Sequence, residues 1–304
     1  MADRRGKTAL FAKWLGGSLV IADQLRTTGT ILFVHSGTGT DDSAHGYNPD
    51  TPLATIDYAV AKCTASKGDI IVAMPGHAET VSAAAGLALD VAGITVLGLG
   101  SGSLQPTVTL DTVDTADVDV DTANITVENL HFRANCADIA AAIDVNADDF
   151  TLRKCRFSEV ATNMNAKIWV QDAAAGGSDR ITIEDCHVVA LDAANTHFVN
   201  FAGTGTGHRV RRNVLIGNWG TMAIGGAGVV TNVEISDNKI SNAATDNDSC
   251  INLAAAATGV VMGNKCCGGA AQANGITAQG CALCENYYGV VGEDLNGILE
   301  PIAT

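Results

Sequence analysis

The chain has 304 residues, 17% of them charged, and its formal net charge at pH 7 is -15. No run of about 18 apolar residues is present, so the sequence predicts no membrane-spanning helix and no membrane partner. An acidic surface repels phosphate backbones, and nucleic acid is therefore not an expected partner.

Residues 1–30 differ in charge from the rest of the chain, because they carry +3 while the remainder carries -18. They also contain an apolar stripe that includes Phe11, Trp14 and Leu15. Two interpretations stay open for this segment. It could cap the exposed edge of the first repeat, or it could be an arm that docks on another, more acidic protein.

Residues 31–66 form a second predicted unit, a loop rich in Gly, Asp and Ser followed by a short helix. The helix is predicted to begin at Pro52 and to end near Cys63, with its apolar side chains on one face. We expect this helix to cap the N-terminal end of the domain that follows. Three aspartates of the loop lack the regular spacing of a calcium loop and are expected to be turn residues: Asp41, Asp42 and Asp50.

Residues 67–290 are predicted to be a solenoid, since one eight-residue pattern returns seven times at intervals of 22 to 31 residues. Each copy alternates apolar and other residues, which indicates short strands with one buried face. The sixth position of the copies marks a turn between two strands, and its occupants are Leu130, Cys155, Cys186, Asn213, Asn238, Asn264 and Asn286. Asn suits this position because it tolerates left-handed backbone and can bond to the Asn of the next coil.

The two positions before the marker carry charges whose sign alternates from coil to coil, as in Glu128, Arg153, Glu184 and Arg211. Neighbouring coils lie about 4.8 Å apart, so this alternation predicts ion pairs along the stack. The predicted fold class is all-β, a right-handed parallel β-helix with a short N-terminal capping helix. Residues 291–304 are predicted to be a C-terminal tail.

Other acidic and thiol residues leave alternatives open. The segment Asp111–Asp121 holds five aspartates and could supply a carboxylate pair, but its alternation favours a strand with its aspartates in solvent. The segment Ala161–Arg180 is expected to project from the body. Of the nine cysteines, most are expected to be structural thiols, while a zinc site or a disulfide stays open for Cys266, Cys267, Cys281 and Cys284.

The stacked Asn turns resemble those of right-handed parallel β-helix proteins of the pectate-lyase-like group. The segments FVHSGTGTDDSAHGYNPDTPLATIDYAVAKC and GDIIVAMPGHAETV are similar to the start of such helices in tailed-phage proteins. This resemblance implies a virion protein made in the host cytoplasm. It also implies a possible homotrimer, because phage β-helices commonly form one.

The sequence lacks the calcium ligands of pectate lyases and the Gly-His-Gly with close aspartates of polygalacturonases. We therefore expect no enzyme activity, no catalytic, cofactor-binding or metal-binding residues, and no cofactor. The predicted function is a capsid decoration (cement) protein that docks on other virion proteins, above all the major capsid protein, through residues 1–30. The alternatives are a glycan-binding adhesin and a tailspike-like polysaccharide lyase or hydrolase that uses Asp117, Asp119 and Asp121, or Asp172.

Overall fold

The computed structural model describes residues 27–172, 177–244, 249–268, 275–290 and 296–298. Most of the predicted arm or cap, residues 1–26, lies outside these residues, so the choice between its two interpretations stays open. Most of the predicted tail, residues 291–304, also lies outside them. The division into four units at residues 30, 66 and 290 stays a prediction.

Three long sheets build the body, and their strands are numbered in chain order. The first sheet consists of ten strands: β1 Ile31–Val34, β2 Ile70–Ala73, β5 Thr95–Gly98, β8 Thr126–Glu128, β11 Thr151–Arg153, β14 Thr182–Glu184, β18 Arg209–Arg211, β22 Val233–Ser236, β25 Gly259–Met262 and β28 Ala282–Cys284. All neighbours in this sheet are parallel.

The second sheet also has ten strands: β3 Ala78–Val81, β6 Thr107–Leu110, β9 His131–Ala134, β12 Arg156–Glu159, β15 His187–Ala190, β19 Val214–Gly217, β23 Lys239–Asn242, β26 Lys265–Gly268, β29 Tyr287–Val290 and β30 Asn296–Ile298. Its neighbours are parallel except at the end, where β30 runs antiparallel to β29. The chain therefore reverses direction in its last described strand.

The third sheet has eight parallel strands: β4 Leu87–Leu89, β7 Val118–Val120, β10 Ile143–Val145, β13 Ile168–Asp172, β16 His197–Phe201, β20 Met222–Gly225, β24 Ser249–Asn252 and β27 Ile276–Thr277. A small two-stranded sheet, β17 Gly205–Thr206 with β21 Val230–Thr231, lies outside the three long sheets. Successive strands visit the first, second and third sheets in turn, which makes eight complete coils within the described residues. The predicted fold class, a right-handed parallel β-helix, is confirmed.

Helix α1 spans Ile56–Ala61 and is shorter than the sequence predicted. Thr55 caps it by accepting a hydrogen bond from the Tyr58 N–H. The helix lies against β1, β2 and β4 and buries Ile56, Ala59 and Val60. The buried Glu79 carboxylate of β3 accepts a hydrogen bond from the Ile56 N–H at 2.9 Å, which ties the start of the helix to the first coil. That the helix caps the solenoid stays a prediction.

The predicted column of asparagines is present in the core. Asn213, Asn238, Asn264 and Asn286 are fully buried, and each bonds to the next through Nδ2 and Oδ1 at 2.9 to 3.0 Å. The same Oδ1 atoms accept the backbone N–H of the preceding Asn, at 3.0 to 3.1 Å. The column thus provides hydrogen-bond partners for buried backbone N–H groups at the turn, where no neighbouring strand does so.

The conformational reason given above for these asparagines is wrong. The left-handed residue is the one before each marker, with φ of 56° at Arg212, 55° at Asp237 and 52° at Glu285. The marker Asn residues do not have positive φ. Asn is therefore needed at this turn for its side-chain hydrogen bonds, while charged residues and Gly263 adopt the left-handed conformation.

The alternating charges form ion pairs in part. Glu128 pairs with Arg153 at 2.7 Å, and Glu184 pairs with both Arg211 and Arg212 at 2.8 Å. No ion pair within 4.0 Å joins Arg153 to Glu184 in the described residues. The charges therefore link coils in twos instead of forming one continuous chain of pairs.

The core is filled by aromatic side chains near the middle of the stack. Phe157 stacks on Phe132 with ring centroids 5.3 Å apart, and its edges meet Trp169 and Phe198 at 5.5 Å. Trp169 is 0% exposed, so the expectation that Ala161–Arg180 projects from the body is wrong for this part of it. Residues 168–172 form β13 because Trp169 completes the apolar interior of the fourth coil.

Candidate active site: a carboxylate cluster on the third sheet

The outward positions of the third sheet form one polar column. Alternation along each strand buries its apolar residues and turns the residue between them outward, so Val118 and Val120 point inward while Asp119 points out. The parallel register then stacks one outward residue over the next, from coil to coil: Ala88, Asp119, Asp144, Gln171, Asn200, Gly225, Asn252 and Thr277. Successive residues of the column start about 4.8 Å apart.

Four aspartates at the start of this column form the carboxylate cluster: Asp117, Asp119, Asp121 and Asp144. Asp119 and Asp144 are register partners on the adjacent strands β7 and β10. The Asn146 side chain donates to Oδ1 of Asp119 and of Asp121, at 3.2 Å in both cases. The cluster thus joins carboxyl groups of two coils around one amide.

Burial and mutual repulsion raise the pKa values in the cluster. The pKa of Asp144 is raised first by burial and then by the Asp119 charge, against a hydrogen bond from Gln171. The pKa of Asp119 is raised by burial, by Asp117 and by Asp121, against a hydrogen bond from Asn146. The pKa of Asp117 is raised by burial and by Asp144, although a hydrogen bond from the Ala85 N–H opposes the shift. Oδ1 of Asp144 is buried and has no hydrogen-bond partner in the described part of the chain. A buried carboxyl oxygen without a partner disfavours the charged form of its group.

The expectation that the aspartates of Asp111–Asp121 lie in solvent is wrong for two members of the carboxylate cluster. Asp117 and Asp119 are half-buried, while Asp121 is exposed. The sequence analysis also missed Asp144, which lies 25 residues after Asp119 in the segment AAIDVNA. The repeat period could have identified Asp144, because a residue about one period after Asp119 is expected to lie beside it in the next coil.

Asp172, the other candidate carboxylate, does not join the cluster. It is 1% exposed, and its Oδ2 lies 3.9 Å from Nε2 of the fully buried His208. Neither of these two atoms has a hydrogen-bond partner in the described residues. The other oxygen, Oδ1, accepts a hydrogen bond from the Ser178 N–H at 2.8 Å. Burial raises the pKa of Asp172 to about 6 and lowers the pKa of His208 to about 4.

The Asp172→Asn substitution is expected to stabilise the protein by about 2 to 3 kcal/mol at pH 8 and by only about 0.5 kcal/mol at pH 4. A carboxyl group whose pKa rises on folding costs stability above its folded pKa, here about 6, and nothing below its usual value. Urea unfolding at the two pH values measures the difference, with the exposed Asp90→Asn as control. A variant less stable than wild type at pH 8 contradicts this account.

The predicted turn residues of the N-terminal loop have local partners. Asp41 accepts hydrogen bonds from the Ala54 and Thr55 N–H groups, and Asp42 accepts from His45 Nδ1 at 2.7 Å. Among the described residues, no group of three or more His, Cys, Asp or Glu side chains is placed to hold a metal ion. In the same residues, no helix is long and apolar enough to cross a membrane.

The described cysteines are all free thiols, with no disulfide among them. Cys155 and Cys186 are buried at their marker positions, as predicted. Cys266 and Cys281 are buried while Cys267 and Cys284 are exposed, so these four thiols do not share one face.

Comparisons with known proteins add one likeness. No protein-family model matches the chain, and no curated protein sequence matches it. The chain is similar to the solved structure of a rhamnogalacturonan lyase, with 14% sequence identity and a TM-score of 0.46. The similarity covers 90% of this chain and 66% of the lyase chain, so this chain spans about two thirds of that protein's length. At this level the likeness transfers no residue, substrate or reaction.

The prediction that this chain is not an enzyme is contradicted by this likeness to a lyase, although a TM-score of 0.46 assigns no activity to the chain. That prediction depended on the missing motifs of pectate lyases and polygalacturonases. Such motifs describe the families that carry them and do not exclude other chemistry on the same scaffold. The carboxylate cluster is a set of chemically competent side chains outside those motifs.

Proposed function

We propose that this chain cleaves a polysaccharide at the carboxylate cluster of the third sheet. The observation that carries the proposal is the pairing of Asp119 with Asp144 on adjacent strands, both with raised pKa values. Carboxyl groups held together with perturbed pKa values are the usual apparatus of glycosidic bond cleavage.

The environments of the two carboxyl groups suggest different roles. Asp144 has one buried oxygen without a partner, and burial raises its pKa although a hydrogen bond from Gln171 opposes the shift, so it suits a general acid whose proton goes to the oxygen of the leaving sugar. Asp119 accepts a hydrogen bond from Asn146, which favours its ionised form and suits a nucleophile or base.

The spacing of the two strands favours a reaction with a covalent intermediate. Their backbones lie one strand apart, about 4.8 Å, so side chains that run parallel would hold their carboxyl groups near the separation of about 5 to 5.5 Å used by retaining glycosidases. Asp119 would form a bond to the sugar carbon as the bond to the leaving oxygen breaks. Water, deprotonated by Asp144, would then release the sugar and restore both groups.

The rest of the outward column provides a surface along which a sugar chain can lie. Gln171, Asn200, Asn252 and Thr277 are half-buried and continue the line of the cluster toward the C-terminal coils. Amide and hydroxyl groups hydrogen-bond sugar hydroxyls without requiring a charge. The same column favours a second candidate function, that of an adhesin that binds a glycan and does not cleave it.

Incubation with a panel of polysaccharides, followed by measurement of new reducing ends, tests the proposal. The Asp119→Asn/Asp144→Asn variant is expected to lose activity by at least about 100-fold, because it removes both the acid and its partner. The control is Asp114→Asn, an exposed aspartate close to the cluster in sequence.

Two other outcomes contradict the hydrolase. Binding without release of reducing ends by wild type would favour the adhesin. Products with an unsaturated sugar would show elimination instead of hydrolysis, and inversion at the sugar carbon would exclude the covalent step.

We further propose that the chain forms a homotrimer, belongs to a tailed-phage particle and docks on other virion proteins, such as the major capsid protein, through residues 1–30. The support is the resemblance of residues 33–81 to the start of phage β-helices and the +3 charge of residues 1–30 on an acidic body. Mass spectrometry of purified virions is expected to find the chain. Deletion of residues 1–30 is expected to remove it from particles, and unchanged incorporation would contradict docking by this segment.

Sedimentation of the purified protein tests the homotrimer, since a trimer sediments with three times the mass of one chain.

A further inference from the structure

The arginines of this acidic protein fall into two groups. Five of the seven described arginines lie within 4.0 Å of a carboxylate: Arg153, Arg180, Arg209, Arg211 and Arg212. The other two, Arg133 and Arg156, have no carboxylate partner in the described residues, and both point outward from the second sheet. Their lack of partners is unexpected in a chain whose net charge is -15.

The outer surface of the second sheet, here called the cationic face, collects further basic groups. The residues that follow the turn in successive coils stack in register: His131, Arg156, His187, Val214, Lys239, Lys265 and Tyr287. Arg133 lies in the neighbouring column, beside Ser158. Lys239 and Lys265 are exposed and have no ion pair in the part of the chain that the structure describes.

No carboxylate neutralises this face within the described residues. From β6 to β29 its outward positions hold no Asp or Glu. Glu159 at the end of β12 accepts hydrogen bonds from the Leu191 and Asp192 N–H groups and the Asn195 side chain, and it forms no ion pair with Arg133 or Arg156 among the described residues. Burial, Arg156 and Arg133 together lower the pKa of His131 to about 4, so His131 adds no positive charge to this face at neutral pH.

Apolar groups separate the cations along the face. Arg133 and Arg156 lie on the third and fourth coils, and Lys239 and Lys265 lie on the seventh and eighth. Between them Val214 and the 40% exposed Ile216 form an apolar step, and the 45% exposed Tyr287 follows at the end. An extended ligand along the solenoid axis would meet charge, then apolar surface, then charge, over about 24 Å at 4.8 Å per coil.

We propose that the cationic face binds an anionic polysaccharide, a linear chain whose sugars carry carboxylate groups, laid along the solenoid axis. Guanidinium groups form paired hydrogen bonds with carboxylates, and exposed apolar and aromatic side chains contact the apolar faces of sugar rings. This surface lies on a different sheet from the carboxylate cluster. The proposal takes only the class of polymer from the proposed function and does not require cleavage.

The charge of the protein favours a polymer of low charge density over nucleic acid. Four unpaired cations on a body of charge -15 would face one phosphate charge per about 1.7 Å of duplex, and most of those phosphates would be repelled. A polysaccharide with at most one carboxylate per sugar places fewer anions near the acidic remainder.

The experiment compares two double variants that lower the net charge by the same amount. Arg133→Gln/Arg156→Gln removes the two unpaired arginines, whereas Lys167→Gln/Arg209→Gln removes exposed cations whose nearest carboxylates are 3.9 and 3.8 Å away. Binding is measured by affinity electrophoresis and calorimetry with polygalacturonate, alginate and neutral dextran. All measurements use the full chain carrying Asp119→Asn/Asp144→Asn, so that cleavage cannot change the polymer.

The protein with its cationic face unchanged is expected to bind at least one of the two anionic polymers at low salt and not to bind dextran. Binding should disappear at about 1 M salt, where charges more than about 3 Å apart are screened. The Arg133→Gln/Arg156→Gln pair is expected to weaken binding by about tenfold or more, and the control pair by less than about twofold.

Four results would overturn the proposal. The first is no binding to either anionic polymer, and the second is equal weakening of binding by both variant pairs. The third is tighter binding of an oligodeoxythymidylate than of a polysaccharide of equal charge. The fourth is that Arg133→Gln/Arg156→Gln changes the oligomeric state in sedimentation and leaves polymer binding unchanged. The third result would point to a nucleic acid, and the fourth to a second copy of the chain. Binding together with an inactive wild-type enzyme would retain this inference and reject only the proposed function.

Discussion

The Asn238→Ala substitution is expected to lower the free energy of unfolding by about 4 kcal/mol or more. The Asn238 side chain donates to the Val210 carbonyl and to Asn264 Oδ1, and it accepts from the Asn213 backbone N–H and side chain. Alanine removes all four of these buried hydrogen bonds. The Val210 carbonyl and the Asn213 N–H lose this partner at about 1 to 3 kcal/mol each, while Asn264 Oδ1 and Asn213 Nδ2 keep one other partner and lose about 0.5 to 1.5 kcal/mol each. Urea unfolding followed by circular dichroism measures the loss.

The control for this prediction is Asn252→Ala, the same change at a half-buried outward position of the third sheet. It is expected to change stability by less than about 0.5 kcal/mol, because water replaces whatever the amide contacts there. If Asn238→Ala cost less than about 1 kcal/mol, the column would be a consequence of the turn geometry and would not hold the coils together.

The Phe157→Ala substitution is expected to cost about 3 to 5 kcal/mol of stability. Phe157 is 1% exposed and contacts three aromatic rings, those of Phe132, Trp169 and Phe198. Its removal leaves a cavity among rings that belong to the second and third sheets, and these cannot close it without breaking strand register. Chemical denaturation gives the magnitude.

Ile216→Ala provides the comparison for this second prediction, because Ile216 lies on the outer surface of the same sheet and is 40% exposed. Its expected cost is below about 1 kcal/mol. Equal costs for the two substitutions would mean that the aromatic cluster is loosely packed. An intermediate unfolding step in the Phe157→Ala variant alone would show that the middle coils can open separately from the ends.

Sequence reasoning predicted the solenoid because its signal is local and repeated. The apolar alternation around Asn213 and Asn238 fixed which residues point inward, and one correct register then placed every neighbouring coil. The insertion before Trp169 was harder to interpret. Its strand has no copy of the eight-residue pattern, and only the buried ring shows that the segment completes a coil.

The candidate site was only half visible in the sequence for a related reason. Asp117, Asp119 and Asp121 are close in the chain, so their clustering could be read directly. Asp144 joins them through the coil period, and its burial depends on side chains of both neighbouring coils. The cationic face was missed because the charge comparison covered the two positions before the marker, whereas Arg156 and Lys239 follow it directly.

The antiparallel strand β30 covers the end of the second sheet and hinders the addition of further coils at that end of the stack. Every other neighbour in the three long sheets is parallel, so a further coil from another molecule would present parallel strands to all three edges at once. At the second sheet that edge is already taken by a strand of opposite polarity, which mismatches the incoming hydrogen-bond pattern. A fibre formed by coils added end to end would first have to displace residues 296–298, so their removal should make growth at that end easier.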